Sequence, residues 1–397
     1  MSLHDTQTGP VQEKRLADFL ASHGGPFYEL QARLRLLSAD ALKVRSRAVV
    51  FVVVAWGVPL VLGLPASLSF REGHYLADLS VWARFFIAIA AFVLAEEQVE
   101  RGLRVKLAQF LRAPLLTPES TAPAAAAVSL ALKERDSRLA EIVILVLAAG
   151  AALFSFSTLN SDNASSWAVV QSVEGSRLTA AGWWSVCISL PLCVFLLLRG
   201  LWRHLVWARL LRKIARLDLR LVATHPDGKG GLGFLAEYPN AYMLFVFGMS
   251  SVIGAALAKH HIQDALSIST FSIVMGGWLA IVIALFAYPL AAFSLPLARL
   301  KESAILWLGA EATRYHRAAE RKLLGRNIVA NAEGETDDDL SDPTKVFETT
   351  RKLSTWLVSR GAIIPVAAAA LVPFSIAGAV YLPYKEVLSV LKKLLLV

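Results

Sequence analysis

This chain has little cysteine and little charge inside its apolar stretches. Only two cysteines occur in 397 residues. Cys187 and Cys193 are six apart in one apolar run, hence on different faces of a helix, so neither a disulfide framework nor a thiolate metal site follows from them. Charged residues make up 18% of the chain against 56% hydrophobic ones, too apolar a balance for a soluble protein of several domains. No nucleophile elbow, H-E-x-x-H, Walker lysine or paired-cysteine motif is present. Ion-coupled carriers and proton pumps need ionisable groups near the membrane midplane. Here Arg84, near the outer end of the second apolar run, is the only charge well inside one.

Seven apolar runs fill most of the remainder, near residues 48 to 66, 80 to 96, 140 to 159, 180 to 198, 241 to 259, 271 to 295 and 361 to 383. Crossing ~30 Å of hydrocarbon takes roughly 20 mostly apolar residues. The fold class that follows is an all-α integral membrane protein of about seven transmembrane helices with long helical cytoplasmic extensions. The first run begins behind a charged, helix-patterned segment and does not read as a cleavable signal peptide. Two regions are expected: a helical segment over 1–47, lying along the membrane surface, and a single bundle over 48–397 with cytoplasmic loops 97–139, 199–240 and 297–360. The first segment splits at Gly24, Gly25 and Pro26, and Ser38 or Asp40 can cap its second helix.

Of the 40 Lys and Arg residues, 33 fall in 1–47, 97–139, 199–240 and 297–360, while 67–79 holds only Arg71 and 160–179 only Arg177. Cation-rich loops stay in the cytoplasm. The amino terminus and the three long loops are therefore expected inside, and seven crossings put the carboxyl terminus outside. Pro365, Pro373 and Pro383 in the last run, and Lys385, Lys392 and Lys393 after it, also fit a re-entrant or broken segment beyond six spans. The net charge of +9 is spread over juxtamembrane loops without interleaved aromatics. Anionic lipid headgroups are its expected counterpart, and nucleic acid is not. No cofactor is implied; a homo-oligomer and a cytoplasmic partner are both open.

Past the fourth run the pattern continues as a basic helix carrying Arg199, Arg203, Arg209, Arg212, Lys213, Arg216 and Arg220, several of them three or four apart. This reads as a solvated, lipid-facing stripe or as a binding strip for an anion. It delivers Thr224-His225-Pro226-Asp227-Gly228-Lys229-Gly230-Gly231-Leu232-Gly233-Phe234-Leu235. Glycines at that density let backbone amides converge on an anion. Equally, His225 and Asp227 can hydrogen-bond the turn while the glycines tuck the loop beneath the bundle. Gly228, Gly230 and Gly233 match G-x-G-x-x-G, but no strand precedes them and no βαβ unit surrounds them. His-Pro-Asp is also the tripeptide with which J-domain co-chaperones stimulate their partner ATPase; here the segment after it enters an apolar run.

A second polar cluster is expected at the same level, from Glu96 and Glu97 ending the second run and Arg135, Asp136, Arg138 and Glu141 opening the third. Such groups pair with one another at that depth. Asp337, Asp338 and Asp339 lack the alternation of a calcium loop and read as a solvated linker. After it, Asp342 and Pro343 open a helix expected to end near Gly361. Small residues Gly248, Ser251, Gly254, Gly276 and Gly277 in the fifth and sixth runs suit close helix packing, or a path between helices.

Leu217-Asp218-Leu219-Arg220-Leu221 followed by Thr224-His225-Pro226-Asp227 and Gly230-Gly231-Leu232-Gly233-Phe234-Leu235 resembles a family of uncharacterised bacterial multi-pass membrane proteins. The likeness extends to Glu96 and Glu97, to Arg135-Asp136-Ser137 with Glu141, and to Phe347-Glu348 with Arg351. Ala223 stands where that pattern has Pro, and Leu353 and Ser354 depart from a Val-Pro-Phe helix ending. The resemblance implies a bacterial inner-membrane location and a shared cytoplasmic loop, and no activity. The leading expectation is a face that binds an anionic ligand or a partner through His225, Asp227, Lys229, Gly230, Gly231 and Gly233 with Arg212, Arg216 and Arg220. An oligomeric channel or permease lined by runs five and six is second, and a membrane enzyme third.

Overall fold

In hydrocarbon every backbone N–H and C=O must be paired within its own segment, so an apolar run of this length folds as a helix. The structure is a computed structural model and describes residues 19–37, 42–64, 74–158, 167–172, 175–263, 268–329, 341–381 and 384–396. Its helices are α1 (Pro26–Arg33), α2 (Val44–Leu62), α3 (Leu79–Arg112), α4 (Pro118–Arg135), α5 (Arg138–Thr158) and α6 (Ala180–Ile214). There follow α7 (Met243–Gln263), α8 (Ile268–Leu290), α9 (Ser294–Leu324), α10 (Thr344–Arg351), α11 (Arg360–Tyr381) and α12 (Tyr384–Leu396). Among the described residues, seven stretches are long and apolar enough to cross a membrane, and the chain is an all-α multi-pass membrane protein. A two-stranded antiparallel hairpin, β1 (Val169–Ser172) and β2 (Gly175–Leu178), precedes α6.

Several spans run on past the bilayer. The 34 residues of α3 reach about 50 Å, well beyond ~30 Å of hydrocarbon. α6 runs unbroken to Ile214, and α8 passes through a 3-10 turn (Ala291–Phe293) into α9. Large apolar side chains stay exposed on α5, among them Leu139, Val146 and Phe154, as a lipid-facing surface requires. On the inside, Gly248 and Gly254 are used for close packing. A Cβ on Gly248 would lie 2.9 Å from the Phe92 ring of α3, and one on Gly254 would lie 3.3 Å from the Pro373 backbone of α11.

Among the described residues, three spans contain a π-helical stretch: Val53–Gly57 in α2, Trp82–Ala88 in α3 and Ser185–Ser189 in α6. Widening the helix releases carbonyls from their regular partners, and neighbouring elements supply donors to those of α2. Trp184 Nε1 donates to Val54 O at 2.8 Å, Ser189 Oγ to Ala55 O at 2.7 Å and Tyr75 Oη to Trp56 O at 2.8 Å. Trp56, Trp82 and Phe86 pack beside them, with ring centroids 4.7 to 5.4 Å apart.

The structure bears on three expectations. Phe19 to Phe27 is wedged among α3, α5 and α6, with Phe19, Ala21 and Ser22 buried, while Glu29, Leu30, Ala32 and Arg33 of α1 are exposed. Ser38 and Asp40 fall outside the described residues. The helix after Asp342 stops at Arg351 instead of near Gly361, because the next carbonyls have other partners: Lys301 Nζ donates to Leu353 O at 2.8 Å and Lys229 Nζ to Leu357 O at 2.7 Å. Finally, α11 is one continuous helix through Pro365 and Pro373, and α12 folds back on α8, where Gly276 meets Leu394. At 13 residues, or about 20 Å, α12 is too short to cross. Asp337, Asp338 and Asp339 lie outside the described residues.

Candidate functional site

Two polar sites occupy the cation-rich end of the bundle. The first is the glycine loop between α6 and the 3-10 segment Gly233–Tyr242. Asp227 is its centre: Oδ1 accepts from Lys229 N at 2.8 Å and Gly231 N at 3.2 Å, and Oδ2 accepts from Gly233 N at 2.8 Å. His225 Nδ1 stands 2.8 Å from Asp227 Oδ1. The carboxylate thus fills the amide cradle from within. Gly230 and Gly231 adopt φ of +67° and +94°, the left-handed region that lets those amides converge. Burial alone would raise the Asp227 carboxyl, but the amides of Lys229, Gly233 and Gly231, together with His225, outweigh it and hold it below its ordinary value. Desolvation lowers the Lys229 ammonium, opposed by Asp227 and Glu237.

The loop is tied to its surroundings by backbone. Arg220 N donates to Leu115 O at 2.7 Å, Leu219 bridges Leu116, and Ser354 N donates to Gly228 O at 2.9 Å. It therefore joins the α3–α4 turn to the extended segment before α11. His225 keeps 42% of its side chain exposed, and Arg216 and Arg220 are exposed nearby in sequence. Arg212 turns away and covers the Tyr288 ring, with its guanidinium carbon 4.9 Å from the centroid.

The second site is an ion cluster where α2, α3, α5 and α6 meet. Glu96 of α3 receives three guanidiniums: Arg47 Nη1 at 2.7 Å, Arg199 Nη1 at 2.8 Å and Arg203 Nη1 at 3.4 Å. Arg199 also reaches Glu141 Oε1 at 3.3 Å, and Glu141 Oε2 accepts the Phe27 amide at 2.7 Å. Arg135 clasps Asp136 through two bonds of 2.7 Å and donates to Leu20 O. The inserted segment contributes Ser22, whose Oγ donates to Glu96 O at 2.7 Å, and His23, whose Nδ1 lies 2.8 Å from Glu100 Oε2. Gly24 and Gly25 make the insertion possible, with φ of +85° and +89°. A Cβ on Gly25 would stand 2.6 Å from Glu141 Oε1. The cavity beside Glu96, Arg199 and Arg203 is about 30 Å³, room for little more than a water. The cluster joins helices and leaves no volume for a substrate.

Glu96, Arg135, Asp136 and Glu141 are thus brought together, whereas Glu97 forms an exposed pair with Arg101 at 2.8 Å and Arg138 is exposed. The solvated stripe expected along α6 is corrected: Arg199 is 3% exposed, and it shares one face with Arg203, a turn later, opposite Glu96. Arg209 and Lys213, again a turn apart, reach Glu134 of α4 at 3.5 and 3.3 Å. Arg47, Ser22, His23 and Glu100 were not singled out from the sequence. Only the four-residue spacing of Arg199 and Arg203 signals a shared partner. Neither family models, nor curated proteins, nor solved structures match this chain.

Proposed function

We propose that this protein is a membrane-embedded recognition module that binds an anionic group on a partner at its cytoplasmic face, with the His225 edge, Arg216 and Arg220 as the contacts. The cation excess on this side supports a cytoplasmic orientation, and the loop resemblance supports a bacterial inner membrane. The observation that carries the reading is the occupancy of the amide cradle by Asp227: with Lys229, Gly231 and Gly233 amides already taken, recognition falls to exposed side chains on a stiffened loop. An exposed rim of cations suits an acidic surface better than an enclosed small anion.

The purified chain in nanodiscs of neutral lipid, titrated with a fluorescent hexaglutamate peptide, tests this. Arg216→Glu with Arg220→Glu is expected to weaken binding roughly tenfold, the equivalent of about 1.4 kcal/mol. Arg314→Glu, on α9, serves as the remote control. Equal weakening by the control, or none by the pair, rejects the assignment.

A further inference from the structure

An open cleft of about 600 Å³ lies between one face of α3 and the 3-10 segment Gly233–Tyr242. Its α3 wall is Leu94, Gln98, Arg101, Val105 and neighbours, an i, i+4, i+7, i+11 spacing that keeps them on one face. The opposite wall approaches closely because Gly102 has no Cβ where Ala241 packs. Gln98 Nε2 donates to Asn240 O at 3.2 Å and pins the two walls together.

The cleft spans an interface. From Leu94 to Lys106 it runs about 18 Å along the helix axis, at 1.5 Å per residue. Its apolar end lies in the bilayer-crossing part of α3, and its far end holds Lys106 paired with Glu237 at 2.9 Å. Arg45 stands at the mouth, four and eight residues before Val49 and Val53, which are 63% and 54% exposed. Those valines form a lipid-facing stripe on α2, so the Arg45 guanidinium sits where hydrocarbon gives way to headgroups. Three cations and two carboxylates line the space. Glu97 and Glu237 pair with Arg101 and Lys106, while Arg45 has no carboxylate partner among the described residues. The Arg101–Glu97 pair is 76% and 51% exposed, hence weakly held and open to recruitment.

We propose that this cleft binds the phosphodiester headgroup of a phospholipid from the leaflet on the cation-rich side. Arg45 and Arg101 hold the phosphate oxygens, and Leu94 receives the start of the acyl chains. A volume of this size accommodates a headgroup with its glycerol, and guanidiniums match phosphate oxygens in geometry as well as charge. The inference is independent of the loop recognition above, since it uses none of His225, Arg216 or Arg220.

The test is a binding titration on the delipidated full-length chain in neutral detergent, using dihexanoyl phosphatidylglycerol, glycerol 3-phosphate and inorganic phosphate as probes. Dihexanoyl phosphatidylglycerol is expected to bind saturably. Arg45→Gln with Arg101→Gln is expected to weaken it about tenfold, and Val105→Trp to block it by filling the cleft. Arg112→Gln removes an exposed cation of the same helix outside the cleft and is expected to leave binding unchanged. Equal loss in Arg112→Gln overturns the site in favour of diffuse surface charge. Binding of glycerol 3-phosphate or inorganic phosphate as tight as that of the lipid overturns the lipid source. Full binding by Val105→Trp, with unfolding at the wild-type temperature, overturns the location.

Discussion

A carboxylate that accepts three amides from its own loop competes with any external anion for the same donors, and Asp227 does this. Its folded-state value is depressed, so the stabilisation it supplies is complete above its ordinary value of 3.8 and is lost as pH falls through the lower, folded value. Acidification below roughly pH 4 is expected to release the loop. Hydrogen exchange at the Lys229, Gly231 and Gly233 amides, corrected for intrinsic rate, reads this directly; Asp227→Asn should show fast exchange already at neutral pH. Adjacent Glu96 and Glu97 make a sharper contrast. Glu96→Ala strands Arg199 and Arg47, 3% and 1% exposed, and is expected to cost about 3–5 kcal/mol. Glu97→Ala removes an exposed pair and should stay within about 1 kcal/mol. Thermal unfolding of the two variants in the same detergent separates them, and equal midpoints would refute the account. Nothing in the dipeptide itself distinguishes these residues; the inward one is chosen by the helix face that meets α6.

At the scale of elements, helix existence was legible and helix interruptions were not. Apolar length alone predicts α2, α3 and α6, yet the π stretch of α2 draws on donors far away in sequence, Ser189 for Ala55 O and Trp184 for Val54 O. Ser189→Ala leaves a buried carbonyl without its donor and is expected to destabilise by about 1–3 kcal/mol, measurable as a lowered unfolding temperature; Ser189→Thr, which keeps the hydroxyl, should recover most of it. The extended segment before α11 follows the same logic. Its local sequence continues a helical pattern, but Lys229 and Lys301 take the Leu357 and Leu353 carbonyls, and Ser354 N pairs with Gly228 O. Lys229→Met is expected to free that segment, seen as trypsin cleavage after Lys352 or Arg360 at rates the wild type resists.

For the whole molecule, the charge asymmetry converts into a prediction of sidedness. With Cys187 and Cys193 replaced by Ala, a cysteine at Arg216 is expected to react with a membrane-impermeant maleimide only after the membrane is opened. A cysteine at Arg177 should react in intact cells. The opposite pattern inverts the topology. Composition and run length determined the all-α multi-pass class and about seven candidate spans, and cation placement the side expected to carry the helical extensions, because the cost of burying backbone and charge in hydrocarbon is local and leaves its mark on every segment. Which arginines face inward, how Phe19 to Phe27 is inserted, and that Asp227 fills its own amide cradle were decided only by tertiary structure. Those outcomes depend on which helix faces meet, and pairings between residues 96 and 199, or 27 and 141, leave no trace in spacing along the chain.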